Sequence, residues 1–577
     1  MKHQNEVYVA DFETSHEVKK DGRHYSWVWC AGYQRLFSER KDALKIFGTI
    51  ADFIESLLQN DTKKVYFHNL KFDGQFLLSY FLYKKYTYNE DLNQDKQLSY
   101  IIDRTGTFYM LTVTFLNAKG KLKRCRFIDS MKIYPYSLKV LAKQMKMSES
   151  KGDMDYEKVR YPNHKLTPTE YDYFRRDIAI LKIAMETAYN NGYTKLTIGA
   201  NAMEQYKNSI GTPTKQGKYI FRHLFPRLDE EIDTYLRKAY KGGYCYCNNK
   251  FANKITPIHS YDINSMYPTQ LKEQPMPYGM PIHFNGKWRK KENRVCVQHI
   301  KCRFFIKPRH LPTIQLKHTR IFNENEWIEN SPQQMNLYLT NIDLDLFFKH
   351  YKVIDLEYID GYEFYTHTGL FSKYIDYWYG IKENATDPGL RLFAKLFLNN
   401  LYGKYGTNPK RVSLRYQLTD GIITRSENVE EECESVYIPV AIFTTSYARC
   451  YLITQAQNNY DIFAYADTDS LHLIKPTENL PIDNKKLGYF KYEYYGKVKH
   501  LKQKTYLCFV EKENKNGVWY DVNEYKLTCA GMNRDLLDKE HCKIDFNTFK
   551  LGAEFPKLKT HRAIGGVYLK KELHTIK

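Results

Sequence analysis

YDINSMYP, residues 261–268, is where the reading of this chain turns: the run IHSYDI over 258–263 reads as a strand, and NSMYPTQ after it is rich in turn formers. A strand that stops there delivers Asp262 at its end. A second carboxylate set stands in YADTDS, residues 465–470. The stretch DIFAYADTDSLHLI over 461–474 reads as a hairpin with Asp467-Thr468-Asp469 near its turn. Asp262 and Asp469 lie 207 residues apart (469 − 262), and both can meet across one sheet. Two such carboxylates can hold two Mg²⁺ about 3.5–4 Å apart and clamp a triphosphate. In isolation DTD reads better as a solvated turn, because Asp and Thr form turns readily. The accompanying motifs argue against that.

One of those motifs is RLFAKLFLNNLYG. Asp387 and Pro388 open a helix there that is expected to end at Gly403. Arg391, Lys395, Asn399 and Tyr402 recur at i, i+4, i+8 and i+11 as one polar stripe, while Leu392, Phe393, Leu396, Phe397 and Leu401 face a core. A cationic row on a rigid helix suits triphosphate oxygens. For a generic amphipathic helix, a salt-bridged surface stripe is the competing account.

A third set of residues lies near the N-terminus. Segment 5–14 reads as a strand, and Asp11 and Glu13 in DFET share its parity, so both carboxylates point to one face. Adjacent acids repel unless a cation sits between them, and hard divalent ions take oxygen ligands. Alone, a DxE pair favours coincidence. HNLKFDG at 68–74 adds Asn69 and Asp73 after a second strand at 63–69, and 108–116 alternates like a third. Thr167, Pro168 and Glu170 form a capping box opening a helix to about Tyr189, on which Tyr173 and Asp177 stand four apart. Asp11, Glu13, Asp73 and Asp177 suit two-metal phosphodiester hydrolysis, with Tyr173 orienting the attacking water.

The remaining sequence bounds the possibilities. The 577 residues carry 87 Lys+Arg against 66 Asp+Glu, a net charge of +21, which suits a polyanionic partner. Tyr (51) and Phe (32) are abundant, and aromatics among basic residues suit stacking on unpaired bases. No apolar run approaches a membrane span, and Glu6 and Asp11 interrupt the place of a signal peptide. A soluble, unsecreted chain is expected. The 11 cysteines are scattered with no CxxC pair, which argues for reduced thiols and against a structural zinc. No Walker A sequence and no GxG occur, so any nucleotide must be held by metals and basic side chains. Gly199, Gly211, Pro213 and Gly217 read as a linker-like region, 275–370 as an inserted lobe, and the tail after about 531 as a small basic unit. KAYKGGY (Tyr240, Gly242, Gly243) and KQKTY (Lys504, Tyr506) are weak signals singly.

Taken in order, DFET, HNLKFDG, YxxxD, YxGG, DINSMYP, KLFLNNLYG, TSYAR, YADTDS and KTY resemble the protein-primed family B DNA polymerases of small tailed bacteriophages, over essentially the whole chain. The resemblance implies an α/β and α+β multidomain fold. A ribonuclease H-like 3′→5′ exonuclease (1–195) would precede a right-hand polymerase: start of palm (196–273), first insertion contacting the terminal protein (274–371), fingers (372–409), second insertion for processivity and strand displacement (410–432), rest of palm (433–530) and thumb (531–577). It implies that Asp11, Glu13, Asp73 and Asp177 are exonuclease metal ligands, with Tyr173 and Lys151 assisting. Thr14, His68, Asn69, Phe72 and Ser130 match contacts to a single-stranded primer end. Asp262 and Asp469 match the catalytic metal ligands of synthesis, with Asp467 in a lesser role. Tyr267 matches the residue that stacks under the incoming sugar and excludes ribonucleotides. Lys382, Arg391, Lys395, Asn399 and Tyr402 match nucleotide-binding positions. Tyr240, Gly242 and Gly243 match the motif partitioning primer between sites, Thr445 and Arg449 template contacts, and Lys504 and Tyr506 a primer-terminus contact. Arg391 stands where lysine is usual, Asn400 where Ser is usual and Met131 where Leu is more usual.

The implied cofactor is Mg²⁺, two per site, with Mn²⁺ as a substitute. The implied partners are template and primer DNA, dNTPs and a terminal protein, with no membrane. The implied setting is a monomer in the cytoplasm of an infected bacterial host. Three rivals stay open at this point: a stand-alone exonuclease with a nucleic-acid-binding tail, a non-catalytic binding protein, and a reverse transcriptase or RNA polymerase. The second carboxylate set speaks against the first, and the bulky Tyr267 against the last.

Overall fold

The computed structural model describes the chain except residues 1–6, 39–43, 60, 151, 153, 156–157, 212–213, 316–325, 434–435, 516, 530–543 and 577. Its N-terminal unit is built on an eight-stranded sheet. Strand Val7–Val18 lies between His24–Arg35, antiparallel, and Lys63–Phe67, parallel. Leu122–Asp129 runs parallel to Lys63–Phe67 on the far side. Val7 and Val9, of one parity with Asp11 and Glu13, enter the same core as the Pro168–Asn190 helix. Ala10 and Phe12 enter the core on the other face. The sheet thus holds the two acids on the side covered by that helix.

The helix begins as its sequence requires. The Thr167 hydroxyl accepts from the Glu170 amide and the Glu170 carboxylate accepts from the Thr167 amide. Glu170 is buried and also receives Arg160 Nε at 2.6 Å and lies 2.9 Å from His164 Nε2. Burial alone would raise its carboxyl; the Thr167 amide, Arg160 and His164 outweigh that and hold it at about 2. The stabilisation is fully present above the ordinary value of 4.5 and fades as pH falls toward 2. Glu170→Gln is expected to cost about 2 kcal/mol at pH 7, discounted for screening. In urea melts the gap between wild type and variant should close as pH drops below about 4.5.

The second sheet has seven strands in the order Val518–Cys529, Thr505–Lys515, Phe490–Lys502, Ile255–Ile263, Ser470–Leu473, Phe463–Asp467, Cys245–Cys247. Ile255–Ile263 lies beside Ser470–Leu473 with Asp262 opposite Ser470. A third, four-stranded sheet is formed by Met276–Asn285, Tyr351–His367, Arg294–Ile306 and Asn330–Thr340. It occupies the stretch read as an inserted lobe, with strands of up to 17 residues. Among the described residues there are also two long hairpins, Lys410–Thr419 with Ile422–Glu432 and Glu554–Ala563 with Gly566–Thr575, and a short pair, Ile314–Gln315 with Trp327–Ile328. Among the described residues no helix is long and apolar enough to cross a membrane.

Three local expectations need correction. The linker-like region is helical: Ile198–Ser209, Thr214–Leu224 and Glu230–Arg237. Gly211 and Gly217 are points of close approach: a side chain at Gly217 would run into the Lys207 carbonyl, and one at Gly211 into the Gly217 backbone. The turn-rich NSMYPTQ becomes the helix Met266–Glu273, with Pro268 in the first turn, where its missing N–H has no helical partner to lose. The Pro388–Tyr405 helix runs through Gly403, and its last turn is held by the fully buried Tyr405.

Candidate active site

The strand–turn pattern read at Asp262 and the hairpin read at Asp467–Asp469 converge. Ile263 N donates to Asp469 O at 2.8 Å. Both side chains line a cavity of about 370 Å³ with Asn264, Ser265, Tyr267, Lys382, Lys395, Asn399 and Tyr402. Burial, and then the Asp469 and Glu493 carboxylates, push Asp262 well above the usual carboxylate range. Burial, and then Asp467, push Asp469 up as well. Carboxylates so placed are relieved by a bound cation, and an all-oxygen donor set suits a hard divalent ion. Asp262 and Asp469 therefore fit Mg²⁺.

The opposite wall is cationic and aromatic. On Pro388–Tyr405 the expected stripe is outside: Arg391, Lys395 and Asn399 are exposed, and Leu392, Phe393, Leu396, Phe397 and Leu401 are buried. Arg391 lies beyond the cavity lining. Burial first, then the Lys395 and Arg391 charges, depress the Lys382 ammonium against the opposing pull of Glu383. The Tyr267 and Tyr402 ring centroids are 4.0 Å apart.

The loop carrying Gly242 and Gly243 closes one side. A Cβ at Gly243 would stand 2.9 Å from Thr468 Oγ1 and from the Tyr267 hydroxyl, so only glycine lets the backbone come this near. Thr468, at φ 61°, donates its N–H to Tyr244 O at 2.6 Å. Lys504 ion-pairs with Asp467, and its N–H donates to the Tyr465 hydroxyl at 3.0 Å. Tyr506 packs against Tyr465 with centroids 5.1 Å apart. The Tyr240 ring lies against Gly406.

In the N-terminal unit, Glu13, Asp73, Tyr173 and Asp177 are buried. Glu13 stands opposite Cys30 and Asp11 opposite Gly32 across the strand pair, so both carboxylates share the face that Cys30 enters; burial, then Glu13 and Asp11, raise the Cys30 thiol. A bulge between Glu13 and Thr14 re-aims the strand there. Among the described residues no three His, Cys, Asp or Glu side chains are gathered into a ready metal-binding group. Here too the carboxylate donors suit a hard cation. Lys151 lies outside the described residues; Gly152 beside it abuts the Tyr173 ring.

The family model for DNA polymerase type B, organellar and viral, matches residues 54–486. This chain belongs to that family. The polymerase is 35% identical to the DNA polymerase of Bacillus phage phi29 over 596 residues, 100% of each chain, and 33% identical to that of Streptococcus phage Cp-1, covering 97% of this chain and 96% of the relative. The orthorhombic crystal form of phi29 DNA polymerase superposes with a TM-score of 0.91 at 32% identity, covering 99% of this chain and 100% of the other. Its ternary complex with primer-template DNA and incoming nucleotides superposes with 0.89 at 33% identity, with the same coverage. The chain is thus a DNA-directed nucleotidyltransferase of phage type.

Other expected contacts of the polymerase take varied places. Thr445 and Arg449 are buried. The Thr445 hydroxyl donates to Ala441 O at 3.1 Å within its own helix. Arg449 Nη1 donates to Lys241 O and Gly242 O at 2.9 Å, and Nη2 to Asp343 at 2.6 Å. Arg449 therefore holds the glycine loop. Ser130 is also buried, its hydroxyl 2.8 Å from His68 Nδ1. Asn69, at φ 74°, and the half-buried Phe72 stand at the start of helix Leu70–Tyr83, and Thr14 is half-buried. Asn400 turns its amide onto Leu396 O at 2.8 Å, away from the stripe.

Sequence reasoning missed Asp343, Glu493 and Asp129. Asp129 Oδ1 accepts from the amides of Asn69, Leu70 and Met131 at 3.0–3.3 Å, fixing the loop before Asp73. The only sequence signal for it was its place in a strand end beside Ser130.

Proposed function

We propose that this DNA polymerase joins synthesis at the Asp262–Asp469 site to 3′→5′ proofreading at the Asp11–Glu13–Asp73–Asp177 site, in the subdomain order given by the resemblance. The observation that carries the synthetic reading is the single cavity faced by two raised carboxyls on one side and Lys382, Lys395 and Asn399 on the other. Bound Mg²⁺, for which Mn²⁺ is a substitute, supplies activation of the attacking oxygen and charge stabilisation of the leaving one. The chain's own residues do the rest. Asp262 and Asp469 hold the ions, and Lys382 and Lys395 neutralise triphosphate oxygens from the opposite wall. Tyr267, packed at a tilt against Tyr402, floors the sugar and leaves no room for a 2′-hydroxyl.

Protein-primed, strand-displacing, processive copying of linear viral DNA by a monomer in the cytoplasm of an infected bacterial host completes the reading. Its support is the full-length likeness to phage polymerases, whose solved complexes contain single-stranded DNA, primer-template and nucleotides. Gly565 N donates to Gly421 O at 3.3 Å, so the turn of the hairpin read as the processivity insertion touches the turn of the hairpin read as part of the thumb.

The test is extension of a primed template with Mg²⁺ and dNTPs, compared with NTPs, then transfer of dAMP to a cognate terminal protein with no nucleic-acid primer. Extension with dNTPs and none with NTPs is expected. Ribonucleotide incorporation at a comparable rate would overturn the role of Tyr267, and absence of protein dAMPylation would overturn protein priming.

A further inference from the structure

Helix Ser372–Asn384 carries Lys382 into the nucleotide cavity, and one turn earlier on the same face it carries Tyr379. The Tyr379 hydroxyl donates to the carbonyl of Lys485. Its ring lies under the Lys382 ammonium, 4.9 Å from Nζ to the centroid. Lys382 Nζ in turn reaches Ser265 Oγ at 3.4 Å.

The Lys485 carbonyl is a fixed point. Asp483 Oδ1 accepts from the amides of Lys485 and Lys486, both at 2.8 Å. Asn264 Nδ2 donates to Asp483 O at 2.8 Å and Lys486 O at 3.2 Å, while Gly488 N donates to Asn264 O at 3.0 Å. Asn264 follows Asp262 by two residues and lines the cavity. The loop 483–488 is therefore locked to the strand end bearing the first catalytic aspartate. Tyr379 locks the helix bearing Lys382 to that loop.

We propose that Tyr379 is a positioning residue for the incoming nucleotide, setting the distance between the Lys382 ammonium and the Asp262 carboxylate across the triphosphate. The proposal rests on the reading of this cavity as the nucleotide site. Nothing in the sequence motifs marks the residue, because Tyr379 falls outside every one of them. Its hydroxyl does work on the main chain of a distant loop, and its ring works on a side chain of its own helix.

Steady-state single-nucleotide incorporation by the full chain tests this. Tyr379→Phe keeps the ring and loses the latch; it is expected to raise the KM for dNTP about fivefold, the worth of one net hydrogen bond. Its kcat should stay within about twofold. Tyr379→Leu removes both contacts and should raise KM about twentyfold. Loss of folded protein lowers kcat without moving KM, so the split separates positioning from damage. An unchanged KM in Tyr379→Phe, beside a raised KM in Lys382→Ala, overturns the proposal alone. An unchanged KM in Lys382→Ala overturns the nucleotide-site reading and the proposal with it.

Discussion

Asp469→Ala is expected to lower primer extension at least about 1,000-fold, while digestion of single-stranded 3′ ends by the same preparation stays within about twofold. The size follows from geometry. Asp469 and Asp262 face one cavity, and each is raised by burial and a neighbouring acid. A carboxylate kept where it is strained has its return when a divalent ion arrives, so its loss removes ion binding and charge stabilisation together. Asp469→Asn keeps the shape and should be equally inactive. In metal-free buffer it should melt no lower than the wild type, because it deletes a buried charge that the Asp467 and Glu493 carboxylates oppose. Extension that survives within tenfold would remove Asp469 from the chemistry. A much lower melting temperature would mean that the residue serves the fold.

That pair was legible because strand and turn signals are local. Ile258–Ile263 alternates into a strand, and Asp467-Thr-Asp469 has the residues a hairpin turn accepts. The antiparallel pairing that sets Asp262 opposite Ser470 needs only those two facts. The polar stripe Arg391–Lys395–Asn399 was legible for the same reason, since helical periodicity is read within one segment. The capping box at Thr167 is equally local.

What stayed hidden depends on partners distant in sequence. Gly199 and Gly217 read as linker punctuation, yet both sit in helices, and at Gly217 the Lys207 carbonyl comes too close for a side chain. Pro268 looked like a turn, yet it occupies a first-turn position that tolerates it. Asp343, Glu493 and Asp129 are lone acids in ordinary segments. Each acquires meaning from remote partners: Arg449 and Ser446 bind Asp343, the amides of Asn69 and Leu70 donate to Asp129, and the Glu493 charge acts on Asp262. No periodicity or spacing rule reaches across such separations.

Asp11→Ala combined with Asp73→Ala should give the mirror result: digestion of single-stranded 3′ ends falling about 1,000-fold or more, with extension of a primed template kept within about twofold. The independence has a structural basis. Asp11 stands on the eight-stranded sheet and Asp73 in the first turn of helix Leu70–Tyr83 beside it, whereas Asp262 lies on a strand of the seven-stranded sheet and Asp469 in a turn between two of its strands. Neither substitution should endanger the fold. Among its interactions Asp73 gives up one with the helix dipole, of about 0.3–1 kcal/mol, and removing Asp11 relieves repulsion with Glu13 on the same face. The Leu70–Tyr83 helix keeps its apolar contacts through Leu70, Phe76, Leu77 and Phe81. Equal loss of both activities would point to misfolding or a shared site, and a thermal melt on the same sample separates the two. Persistent digestion would mean that the N-terminal acids are not the hydrolytic ligands, and the proofreading half of the proposed function would fall while the synthetic half stood.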